Sequence, residues 1–225
     1  MNRADFTPGK LPQEYLALLL KAHAQPDERV VVGARIGEDA AVIDMGTHYL
    51  IAKSDPITFA TDQIGYYAVQ VNANDIATRG GTPRWFLATL LLPEQTTATL
   101  VEEIFAQLSS ACRALGITLI GGHTEITYGL DRPILSGHML GEVAKEALIT
   151  TAGARVGDSV FLSKGICVEG TSIIAREKFS ELLQQGFSEA FLRQAQQFLF
   201  TPGIGVVRDA KIARELAPIH SMHDP

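Results

Sequence analysis

A chain of 225 residues with 46% hydrophobic and 20% charged side chains can bury a sizeable core in one large or two small domains, which excludes a disordered or low-complexity protein. Its formal net charge of −6, without any cluster of Lys and Arg, gives no footprint for nucleic acid or an anionic membrane. Cys112 and Cys167 form neither a CxxC motif nor a disulfide framework, Met1-Asn2-Arg3-Ala4-Asp5 lacks a signal-like apolar core, and the apolar runs at 15–20 and 85–92 fall short of a membrane span, so a cytoplasmic location is expected.

Leu11-Pro12-Gln13-Glu14 opens a helix with Pro where its missing N–H costs nothing, and Leu16, Leu19 and Leu20 form the apolar stripe. Val30 to Val32 reads as a buried strand. Beyond Gly37-Glu38-Asp39-Ala40, residues 41–44 and 49–52 form a hairpin-like pair around Met45-Gly46-Thr47. A helix is expected from Ile64 to Arg79, stopped by Gly80-Gly81, and a strand follows over 85–92. Thr96 or Thr97 caps a helix reaching Leu115, and Gly116 ends it. A buried strand over 117–120 then runs into Gly121-Gly122-His123-Thr124-Glu125, and Ile134 to Val143 is another strand. This mixed order argues for an α+β fold. Past a boundary placed at 149/150, the pattern gives a strand over 159–163, helical stretches between Glu169 and Leu199, a break at Pro202-Gly203 and a last helix over 212–216. Residues 1–149 thus read as one domain, and 150–225 as the first part of an incomplete α+β second domain.

Four aspartates sit where strands end or where glycine admits a ligand: Asp39 after Gly37, Asp55 after a strand, Asp75 beside Asn74, and Asp224 after His223. Each alone also suits a turn cap. Asp75 stands out because it lies within an apolar helix, with Asn72 and Arg79 on the same face at i−3 and i+4; that stripe is either solvated or partnered. Fixed carboxylates are what Mg²⁺ takes when it is shared with substrate phosphates. Gly121 and Gly122 can turn the chain and present N–H groups to a phosphate, with Thr124 as a further donor, or they form an ordinary hairpin turn. Lys10 after Gly9 reaches a phosphate as a point charge or is simply solvated. There is no GxxxxGK[ST], GxGxxG after a strand, GxSxG or HExxH, so any nucleotide is held by another scaffold.

Taken in order, Gly9-Lys10-Leu11, Gly37-Glu38-Asp39-Ala40-Ala41, Ser54-Asp55-Pro56, Asn74-Asp75-Ile76-Ala77 with Gly80 and Pro83, Gly121-Gly122-His123-Thr124 and His223-Asp224-Pro225 resemble the aminoimidazole ribonucleotide synthetase (PurM-like) superfamily along essentially the whole chain. That superfamily includes thiamine-monophosphate kinase, selenophosphate synthetase and the hydrogenase-maturation carbamoyl dehydratase; the overall pattern looks nearest to the last and to synthetase-related proteins. The resemblance implies a PurM-like N-terminal domain whose sheet dimerises, with ATP in a cleft between subunits and domains. It also implies magnesium or ATP contacts at Asp39, Asp55, Asp75 and Asp224, a phosphate contact at Lys10, and a nucleotide-contacting loop at Gly121, Gly122, His123 and Thr124. Where this chain has Glu38-Asp39 the family usually has Asp-Asp or Thr-Asp. Selenophosphate synthesis would need a Cys or selenocysteine before the N-terminal lysine, and none is present.

The expected activity is Mg-ATP-dependent phosphoryl transfer that activates an oxygen of a small molecule or of an amide-like group on a partner protein, by a homodimer that binds neither nucleic acid nor membrane. Two alternatives stand beside it: a non-catalytic nucleotide-binding or assembly factor with the same fold, and a plain structural α+β domain. Because the family's second domain continues past the His-Asp-Pro element, weak or absent catalysis is expected of these 225 residues alone.

Overall fold

The computed structural model describes residues 6–224. Strand β1 (Val30–Val32) leads through the 37–40 loop into β2 (Ala41–Asp44) and β3 (Tyr49–Ile57). These two strands pair antiparallel around the expected turn, with Ala41 opposite Ala52 and Asp44 opposite Tyr49. Strands β4 (Thr82–Leu92), β5 (Thr118–Ile126) and β6 (Ile134–Val143) complete one six-stranded sheet in the order β1-β2-β3-β6-β4-β5. Only the β4–β5 pair is parallel, as a strand–helix–strand crossover requires.

Strand residues alternate between the two faces, and along β6 Leu135, Gly137, Met139, Gly141 and Val143 are buried while their neighbours are half-exposed. The buried face carries α2 (Ile64–Thr78) and α3 (Ala98–Leu115), which enclose Ile51, Tyr67, Phe86, Leu90, Leu108 and Met139. The two helices approach closely because Gly65 has no side chain: a Cβ there would lie 2.7 Å from the Ile104 carbonyl oxygen. Thr97 caps α3 by accepting the Leu100 N–H, and Gly116 ends it at φ 68°, in the left-handed region glycine favours.

After two 3-10 turns come α4 (Val168–Glu177), α5 (Phe179–Gln184), α6 (Glu189–Gln197) and α7 (Val207–Leu216). Helices α4, α5 and α6 pack on one another and α7 packs on α2. Side chains tie this segment back to the first part of the chain. Glu177 accepts the Thr61 N–H at 2.7 Å, and Arg176 pairs with Asp62. Asn74 of α2 is bonded at both ends to one stretch of backbone, donating to the Ile204 carbonyl at 2.9 Å and accepting the Val206 N–H at 2.7 Å.

Four expectations need correction. Residues 159–163 form no strand: Val160 is 97% and Phe161 91% exposed, and no described segment pairs with them. Val30 and Val31 are exposed, because β1 is an edge strand. Asp55 lies within β3 rather than after it. The Gly121-Gly122 pair is no turn, since it continues β5 beside β4, and that strand is exposed along most of its length. Gly122 is there because the strands nearly touch: a Cβ would fall 1.9 Å from the Ala88 carbonyl oxygen, and its φ is +146°.

Candidate nucleotide and metal site

Alternation along β3 puts Lys53 and Asp55 on the same inward face as the buried Ile51 and Ile57. The helical period of α2 aims Asp75 at the same place, and Asn72, Asp75 and Arg79 are all buried, so their polar stripe is partnered and not solvated. Lys53 Nζ lies 2.6 Å from Asp75 Oδ2 and 3.3 Å from Asp55 Oδ2, with a side chain only 10% exposed. Asn72 donates to the Ala68 and Asp55 carbonyls, which fixes β3 against the helix, while its Oδ1 is buried without a partner.

From the other end of the sequence, the His223-Asp224 segment folds back onto this point. Asp224 comes to lie beside Asp75, and His223 Nδ1 lies 3.2 Å from Asp39 Oδ2. One ligand atom each from Asp39, His223 and Asp224 falls within 4.8 Å of the others, a grouping of the size a cation requires. Asp39 arrives on the 37–40 loop, which is held by its neighbour Glu38. The Glu38 carboxylate takes Arg35 at 2.9 Å and the buried Arg79 guanidinium at 2.7 Å, the latter an ion-pair distance without hydrogen-bond alignment. Glu38 therefore faces the protein interior, and Asp39 alone of that pair faces the cluster. A cleft beside it is lined by Asn74, Ser163, Lys164, Cys167, Glu169 and Asp224.

Crowding carboxylates in a buried place raises their proton affinity. Burial, then the neighbouring Asp224, pushes Asp75 up to about 8. Burial likewise raises Asp224, and burial followed by Asp55 raises Glu169. Asp75 is nevertheless within ion-pair distance of Lys53, whose own pKa is raised by Asp75 and Asp55 against the opposing effect of burial. The two facts agree if Asp75 and Asp224 share one proton beside a charged Lys53. A carboxylate raised in the folded state stabilises the fold below its unfolded pKa and loses that contribution as pH rises through the folded value. The metal-free chain should therefore lose stability between about pH 4 and about pH 8, by at most ~1.4 kcal/mol per pH unit for each proton, and Mg²⁺ should reverse the loss. Thermal unfolding across that range, with and without the ion, checks this, and parallel curves would show that the dyad holds no proton.

The remaining sequence-derived residues lie elsewhere. Lys10 is exposed on a bend before α1 (Gln13–His23) and takes part in none of the hydrogen bonds or ion pairs found among the described residues; α1 itself shows its apolar stripe only half-buried. Gly121, Gly122, His123 and Thr124 are on β5, three inter-strand spacings from β3, roughly 14 Å at about 4.8 Å each. By register, His123 opposite Thr89 points to the face away from α2, where it pairs with Glu125 at 3.0 Å. Sequence reasoning missed Lys53 and Glu169, and treated His223 only as a marker of position.

Residues 37–143 match the family model described as AIR synthase related protein, N-terminal domain. This part of the chain is an AIR synthase-related, PurM-like domain in an α+β fold. Among curated proteins the chain is 29% identical over 136 residues to the thiamine-monophosphate kinase of Aquifex aeolicus, covering 57% of this chain and 43% of that one. It is 27% identical over 186 residues to the carbamoyl dehydratase HypE of Cupriavidus necator, covering 78% and 53%. The chain thus spans about half the length of these relatives. Among solved structures, AaThiL complexed with AMPPCP and TMP superposes with a TM-score of 0.68 at 22% identity, over 90% of this chain and 64% of that one. By name, the relatives include kinases, a dehydratase and a cyclo-ligase. No helix among the described residues is long and apolar enough to cross a membrane.

Proposed function

We propose that this chain binds ATP with Mg²⁺ and activates an oxygen of a small molecule, or of an amide-like group on a partner protein, by phosphoryl transfer. The observation that carries this reading is the convergence of Asp39, Asp75 and Asp224, from three distant segments, on one half-buried point beside an open cleft. Oxygen donors on a strand-bounded loop, a helix and a folded-back segment suit a hard cation that bridges to phosphates. Bound there, the ion would supply charge neutralisation at the triphosphate. The chain's own residues position the reactants and hold the carboxylates, and such chemistry asks for no covalent protein nucleophile. The structure bound to AMPPCP adds support, because its fold is shared over most of this chain.

A homodimer belongs to the same proposal. The sheet face turned away from α2 presents the half-exposed Trp85, Leu87, Leu91 and Leu140, and β5 leaves Ile120 49% exposed. Apolar surface of that kind favours a second copy. His123, far from the aspartates within one subunit, would then face the partner. Light scattering should give twice the chain mass, and Leu87→Asp should give monomers.

ATP titration by calorimetry, with and without Mg²⁺, tests the central claim. Binding that depends on the ion is expected. Absence of binding under both conditions, or equal binding in both, sinks it. Phosphate release from bound ATP separates an enzyme from a non-catalytic nucleotide-binding or assembly factor. In this reading residues 1–149 serve ATP binding and dimerisation, and 150–225 wall the cleft.

A further inference from the structure

An inward position on a buried strand is a costly place for a lysine, because its ammonium must be paired to be tolerated there. Lys53 meets that condition by inserting Nζ between Asp55 and Asp75, at 3.3 and 2.6 Å. A cation is therefore already in contact with two of the carboxylates that surround the proposed metal position. Asp39, His223 and Asp224 form a separate grouping, which adjoins Asp75 through Asp224 and includes neither Asp55 nor Asp75. A Mg²⁺ or Mn²⁺ ion placed between Asp55 and Asp75 would need their oxygens at about 2.1 Å, where the ammonium and its protons already are, and two positive charges would be forced together.

We propose that Lys53 is a resident cation of this site, which occupies the Asp55–Asp75 position and restricts the chain to a single divalent ion at the Asp39–His223–Asp224 end. The inference rests on the metal-binding reading given above and adds to it the number and place of the ions. A lysine in that role is fixed to the fold, cannot be chelated away, and leaves Asp55 neutralised by protein and not by metal. It also makes the charge offered to a triphosphate part monovalent and internal, part divalent and exchangeable.

The test counts ions on the whole chain with Mn²⁺ alone as the probe. Free Mn²⁺ is read by electron paramagnetic resonance, and only ions that excess Mg²⁺ displaces are scored. Wild type is expected to hold one such ion, Lys53→Arg one, and Lys53→Met two, because methionine fills the space of the lysine stem and removes the charge. Two or more ions on wild type overturn the proposal, as does a folded Lys53→Met chain that still holds one. Should Lys53→Met fail to fold, the wild-type count decides by itself. Failure of wild type to bind any Mn²⁺ overturns the metal-site reading together with this one, whereas the other contrary results remove only the role of Lys53.

Discussion

Asp75→Asn should weaken Mg²⁺-dependent ATP binding by about tenfold to a hundredfold while the chain stays folded. The expected loss follows from the position of Asp75, which touches both halves of the cluster: Lys53 on one side and Asp224 on the other. Asparagine keeps the shape and one acceptor oxygen. It removes the charge an ion requires. Changes of one group around a metal typically cost ten- to a hundredfold in affinity or activity. A merely misfolded variant would show the same loss, so stability has to be measured beside it. Asp75 is nearly fully buried with its proton affinity raised to about 8, and the neutral amide avoids the penalty of burying a carboxylate. Above pH 7, without metal, that gain is set against the loss of the nearer counter-charge of buried Lys53, which keeps Asp55 at 3.3 Å, so the variant should stay folded with a thermal stability close to wild type. Weaker ATP binding with undiminished stability is the signature of a site residue. Binding unchanged within twofold would mean that Asp75 serves the fold alone.

How much of this was legible in the sequence depends on which forces are local. Helices α2 and α3 and strand β6 were readable almost to the residue, because a Thr cap, Gly terminators and an uninterrupted period of two act within a few residues. Strand β5 was misread because Gly121-Gly122 looks like a turn unless one knows that β4 lies beside it, close enough to exclude a Cβ. Residues 159–163 carry a strand-like composition, but a strand needs a partner for its backbone groups, and none of the described segments supplies one. Lys53 was within reach of sequence reasoning: Ile51, Lys53, Asp55 and Ile57 share one face, and a lysine on an inward face asks for an acidic partner. The partnership of Glu38 with Arg79 was not, because each is an ordinary charged residue until the fold joins the 37–40 loop to the end of α2.

That pair yields the largest stability effect expected of a single change. Arg79 is 1% exposed and Glu38 3%, with Nη2 and Oε2 at 2.7 Å. Arg79→Ala leaves a buried carboxylate without its counter-charge, since Arg35 reaches only the other oxygen of Glu38, and such losses cost about 3–5 kcal/mol. For a chain of this size that corresponds to a fall in Tm of roughly 10 °C, or an equivalent drop in the urea midpoint at unchanged slope. A loss under ~1 kcal/mol would show that the pair is solvated. Replacing both partners, as Arg79→Met with Glu38→Gln, should recover most of the stability, because no buried charge is left unpaired. It should not recover the site. Arg79 also donates to the Thr151 hydroxyl at 2.7 Å, and the Thr151 carbonyl accepts the hydroxyl of Ser221, just ahead of His223 and Asp224. The same guanidinium lies 3.9 Å from Asp39. Arg79 thus fixes both segments that deliver the ends of the cluster, and the double variant should fold well yet bind Mn²⁺ several-fold more weakly than wild type. Equal Mn²⁺ affinity in a fully stable double variant would confine Arg79 to a structural role and leave the convergence of Asp39 and Asp224 to be held by the contacts of His223 and Asp75 alone.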